Sequence, residues 1–146
     1  MRIALIGSVA VVALVAGGVY SFAPPDAAGE LGTVTVDGAY RRIDGGGFSD
    51  WSHQLAGAYA VYVGPPVGDR ITTVITGPGL RLTPMRPTAD VDFVDIASAP
   101  MADGCELSVS LSRTDPGSQP GITEAELADV RAGRLDIVRT DVSCGP

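Results

Sequence analysis

Lysine and asparagine are missing altogether, and histidine occurs once, as His53. All ten basic residues are Arg, set against 17 Asp plus Glu for a net charge of −7. A chain this acidic, with no basic cluster, argues against a nucleic-acid partner. Two Cys and one His are too few for a Cys/His zinc centre. The absence of Lys removes the phosphate-binding loop that ends in Gly-Lys, although Asp44-Gly45-Gly46-Gly47-Phe48 is rich in glycine. No Gly-x-Ser-x-Gly elbow occurs. Aromatic residues make up only 5%. No cofactor is expected from these counts.

The most informative feature present is an uncharged run. Residues 3–23, IALIGSVAVVALVAGGVYSFA, carry no charge. At ~1.5 Å per residue, about 20 apolar residues cross a hydrocarbon core as a helix. Arg2 precedes the run, and Asp26 and Glu30 follow it. The positive-inside rule then predicts residues 1–2 in the cytoplasm and the remainder outside. A cleaved signal peptide is the rival, giving a secreted protein. Its apolar region is normally shorter, and Pro24 directly after Ser21-Phe22-Ala23 disfavours cleavage there. Ala13 and Gly17 form a small-xxx-small pair that lets two helices approach.

With 146 residues there is room for one ordinary domain. A mean hydropathy of +0.25 is that of a folding chain. Residues 24–32, PPDAAGELG, read as a short stalk. From residue 33 onward, runs rich in Thr, Val, Ile and Tyr alternate with Gly and Pro turns. Strands are expected at 32–36, 39–43, 49–55, 58–63, 70–76, 80–83, 91–97, 105–112 and 135–143. Turns are expected at Asp37-Gly38, Gly45-Gly46-Gly47 and Ala56-Gly57, among others. Val91 and Phe93 fall out of phase with Val94 and Ile96, which predicts a bulge near Asp95. One helix is expected over 124–132. Thr123 and Glu126 make its capping box, and Gly133 closes its end. The fold class is therefore mainly β: an N-terminal transmembrane helix, then a small exported β-sandwich over 33–146 with one short helix near the C-terminus.

Cys105 shares a strand face with Leu107, Val109 and Leu111, and Cys144 shares one with Val138, Thr140 and Val142. A bridge between neighbouring strands follows. Closing a loop of about 40 residues, it is worth about 4 kcal/mol in the chain-entropy model. An exported compartment permits it.

His53 is the sole imidazole and hence the one candidate base near neutral pH. On a strand it shares a face with Trp51 and Leu55, so the neighbouring Asp50 cannot orient it. A small hydrolase using His53 is the alternative to a binding module. Trp51, Tyr40, Tyr59 and Tyr62 are candidates to line a groove, with Trp51, His53, Tyr59 and Tyr62 as the ligand-site set. Asp90, Asp92 and Asp95 supply carboxylates that calcium would accept, without the spacing of a known loop. Arg41-Arg42 sits close enough to the stalk to touch anionic headgroups.

The layout of anchor, stalk, small β-rich outer domain and Cys pair is similar to that of small exported membrane proteins, such as the mycobacterial small membrane proteins that accompany lipid exporters. The segment Ala56–Val63 resembles a strand of bacterial exported sandwich modules. The likeness concerns architecture and carries over no functional residue. The reading that results is a single-pass membrane protein, not an enzyme. Its exported domain binds an envelope protein or a cell-wall component. A scaffold dimerising through its anchor is a third option.

Overall fold

The computed structural model describes residues 26–50, 55–86, 93–112 and 119–145. The uncharged run at 3–23 lies outside them. So do Trp51, His53, Asp90 and Asp92. No helix among the described residues is long and apolar enough to cross a membrane.

The described residues are mainly β, in two sheets. Strands β2 (Arg41–Asp50), β3 (Leu55–Gly64), β5 (Thr83–Pro84), β6 (Phe93–Pro100), β7 (Cys105–Ser112) and β8 (Asp136–Cys144) form the larger sheet. Its order is β2-β3-β8-β7-β6-β5, antiparallel throughout. Strands β1 (Thr35–Val36) and β4 (Ile75–Thr76) form a two-stranded ribbon. The α-helices among the described residues are α1 (Ala27–Gly32), α2 (Ile71–Val74) and α3 (Glu124–Arg131).

Side chains alternate across a strand, so pairing assigns each to a face. Ala58 pairs with Val142, which pairs with Leu107; Ala56 pairs with Cys144, which pairs with Cys105. This face is the main core. It packs against Ala27 of α1, Ile71 and Val74 of α2, and Ile75 of β4. The arrangement is sandwich-like, but the second layer is a short ribbon and two short helices. On the opposite face Val61, Val63 and Ile137 are buried. There Arg41, paired with Val63, reaches Glu126 of α3. Leu127 and Val130 of α3 are half-buried, as the expected apolar stripe requires.

Several local expectations hold. Cys105 and Cys144 are bridged and stand directly opposite each other on β7 and β8. Both are buried, at 4% and 1% exposure. Register slips between Asp95 and Ala97, the expected bulge. The Thr123–Glu126 capping box is formed, and Gly133 sits at φ 70° after α3.

Others are corrected. Part of the expected stalk, Ala27–Gly32, is a helix, capped by Asp26 accepting from Gly29 N–H at 2.8 Å. Ala27 is only 3% exposed, so this segment belongs to the packed domain. The expected strand at 70–76 is helical over Ile71–Val74. Ile71 and Val74 are three apart and both buried, while Thr72 and Thr73 face solvent. The Thr73 hydroxyl also donates to the Arg70 carbonyl, three residues back. Gly45–Gly47 is not a turn; it lies inside β2. Ala56-Gly57 likewise lies inside β3.

Candidate functional site

The β2–β3 hairpin carries the candidate site, and its glycines make the site what it is. A strand of three glycines loses backbone entropy and offers nothing to pack. Neighbouring side chains supply the missing cover. The Tyr59 ring lies on Gly46, where a Cβ would stand 3.2 Å from Cε1. The Arg42 guanidinium folds over Gly45, where a Cβ would stand 2.8 Å from Cζ. Between Arg42 and Asp44 the register slips, so Ile43 forms a bulge. The bulge lets Arg42 and Asp44 point to opposite faces.

On the core-facing side a groove of about 450 Å³ opens between α1 and the hairpin. Ala58, Ala60 and the glycines form its floor. Leu31, Val34 and Tyr62 form its apolar wall, and Arg42 stands at its rim. Arg42 Nε donates to the Asp44 carbonyl at 3.2 Å, and no carboxylate pairs with Arg42 among the described residues.

On the other face Arg139 lies 4.6 Å from the Tyr59 ring centroid and 5.3 Å from that of Phe93. Asp141 holds it through two hydrogen bonds, at 2.7 and 2.6 Å. The Asp141 carboxylate pushes the Arg139 pKa further up, so this cation is fixed. The Tyr59 hydroxyl donates to Asp44 Oδ2 at 3.5 Å. Arg139 is thus fully engaged, with stacked rings and a bidentate partner.

Tyr59 and Tyr62 therefore point to opposite faces, as residues three apart on a strand must. Both border the groove, but the Tyr59 ring anchors the polar cluster on the other face. Tyr40 is core: it is 8% exposed and its hydroxyl donates to the Pro65 carbonyl at 2.6 Å. Burial pushes its pKa up. Arg41 is exposed, but its guanidinium is already paired. It bonds Glu126 at 3.0 and 2.6 Å and the Gly121 carbonyl at 3.0 Å. That hydrogen bonding, with the Thr123 amide, holds the Glu126 carboxyl down to about 2. Asp95 is exposed on β6. Among the described residues no three His, Cys, Asp or Glu side chains gather into a cation site.

Sequence reading missed Arg42, Leu31 and Val34. In sequence Arg42 sits beside Arg41 as a surface pair, and Leu31 lies within stalk composition. The Arg139-x-Asp141 spacing, two apart on a strand, was the available signal for the polar cluster. A second hollow of about 330 Å³ lies where Glu30, Leu80 and Met101 meet. Its rim is built from Gly77, Pro78 and Gly79, and it brings no titratable pair together. No family model, no curated protein and no solved structure matches this chain.

Proposed function

We propose that the protein is a single-pass membrane protein whose exported domain binds an envelope partner through the α1–hairpin groove. The observation that carries the reading is the groove itself, open along the edge of the sheet and roofed by α1. The uncharged run at 3–23 supports the anchor. The buried disulfide suits an oxidising compartment.

Packing of α1 gives the anchor a consequence. Only Pro24 and Pro25 separate the run from Asp26, the cap of α1. Three Cα–Cα steps reach about 10 Å at most. An anchored domain is then held against the bilayer with α1 nearest to it, and the groove is presented to neighbours in the same membrane.

Site-specific photocross-linking tests this. Ala28, exposed on α1 and lining the groove, is replaced by a photoreactive phenylalanine in native membranes. Ala132, exposed after α3, serves as the control. The expected result is a discrete protein adduct from position 28 and none from 132. Adducts at neither position, or equally at both, would refute the reading.

A further inference from the structure

We infer that the partner docks by strand addition: an extended acidic segment pairs with the outer edge of β2 along Gly45–Gly47. This rests on the binding role proposed above and specifies how the partner is recognised.

Strand β2 ends the larger sheet, pairing with β3 on one side only among the described residues. Edge strands normally carry a deterrent: Lys, Pro, a bulge or a covering loop. Here the deterrents sit at one end. Ile43 is the bulge, and Gly121 is pressed against its carbonyl, so a side chain at 121 would collide with it. Beyond Asp44 the described residues supply no further guard. Gly45, Gly46 and Gly47 are exposed, and no Cβ shields their backbone amides and carbonyls. A partner strand can approach that edge, with the Arg42 guanidinium and the Tyr59 ring lying on the two faces beside it.

The groove decides which partner fits. Residues opposite each other in a paired strand project to the same face. A partner residue opposite Gly47 would project toward the groove, over Ala58 and toward Leu31 and Val34. That position calls for an apolar side chain. The partner residue opposite Gly45 projects to the same face and meets the Arg42 guanidinium lying there. That position calls for a carboxylate. The recognised pattern is an apolar residue two positions from Asp or Glu in an extended segment.

Charge complementarity separates this occupant from a second copy of the chain. Arg42 is the groove's cation and lacks a carboxylate partner among the described residues, whereas Arg41 is held by Glu126. The chain's own β2 carries Gly, not an apolar residue, two positions from Asp44 on the C-terminal side. Two copies at −7 each also repel.

The test uses the full chain in detergent and a capped seven-residue peptide, Ser-Val-Thr-Glu-Thr-Val-Ser. Its Val and Glu side chains share one face. Amide NMR and titration read the binding. The expected result is a shift of the Gly45–Gly47 amides on addition. The Gln-for-Glu peptide should bind about fivefold more weakly, and Arg42→Gln should erase that difference. N-methylating the peptide's amides leaves its side chains and charge unchanged but should weaken binding at least about tenfold. Arg42 is exposed, so its replacement leaves the fold intact. Equal binding by the N-methylated peptide overturns strand addition, as does no binding by the parent. If the cross-link from position 28 persists while the peptide fails, the docking mode is wrong and the binding role stands. If the peptide binds and no cross-link forms, the edge is competent and the envelope-partner role falls.

Discussion

Replacing Gly64 by Ala should destabilise the domain more than any other glycine-to-alanine change on the hairpin. Gly64 closes β3, and Tyr40 lies just before β2, so their contact ties the base of the hairpin. A Cβ at 64 would stand 2.6 Å from Tyr40 Cγ and 2.8 Å from Cε1. These are ring atoms next to the backbone, not the free end of a flexible chain. The ring cannot swing away cheaply, because it is buried and its hydroxyl is bonded to Pro65. Overpacking of this kind costs about 1–3 kcal/mol. Losing the Tyr40–Pro65 hydrogen bond adds about 1 kcal/mol. The expected loss is about 3 kcal/mol, a large share of the ~5–15 kcal/mol that holds a domain together. Urea denaturation of the disulfide-intact chain, followed by circular dichroism, measures it. Tyr40→Phe removes the hydrogen bond alone and should cost about 1 kcal/mol. Gly38→Ala is the matched control, since nothing lies within 4 Å of its added Cβ. It should change stability by no more than about 1 kcal/mol. A Gly64→Ala protein within about 0.5 kcal/mol of the parent would refute the reasoning.

Replacing Cys105 and Cys144 together by Ala should cost about 4 kcal/mol, read as a lower urea midpoint, with no change in the parent's midpoint on adding a thiol-blocking reagent before reduction. Thr123→Ala removes the cap of α3 and should cost about 1 kcal/mol, read the same way. Glu126 has a carboxyl pKa held down to about 2 by Arg41, below its unfolded value. Its contribution is present above an unfolded pKa near ~4.3 and lost as pH falls toward about 2. Urea midpoints at a series of acid pH values should show that decline, and Glu126→Gln should flatten it. Native protein should run in the membrane fraction at full-length mass, about two daltons lighter when oxidised than when reduced; a shortened form in the medium would show cleavage instead.

Much of the β architecture was legible because alternation is a local signal. The faces of β7 and β8, and with them the cysteine pair, followed from counting every second residue. The bulge at Asp95 followed from a phase change over four residues. The α3 cap followed from two residues three apart. The failures occurred where local signals were ambiguous. Ile71-Thr72-Thr73-Val74-Ile75 satisfies both a two-sided strand and a helical turn, and burial of Ile71 with Val74 chose the turn. Gly45–Gly47 carries turn composition, yet a Tyr on the neighbouring strand and an Arg on its own strand cover it in extended form. Leu31 and Ala27 looked like stalk because their partners lie on β3, β7 and β8, distant in sequence.

By itself, then, the sequence determined the strand-rich class, the bridge, the capped helix and the uncharged N-terminal run, since each depends on neighbours within a few residues. The groove was decided only by tertiary structure. Its floor, wall and rim come from α1, the residue Val34 that follows it, β2 and β3, and its depth comes from the side chain that Gly47 does not have. A space between elements, bounded by what is missing, has no periodicity along the chain and appears only once the hairpin and α1 are packed together.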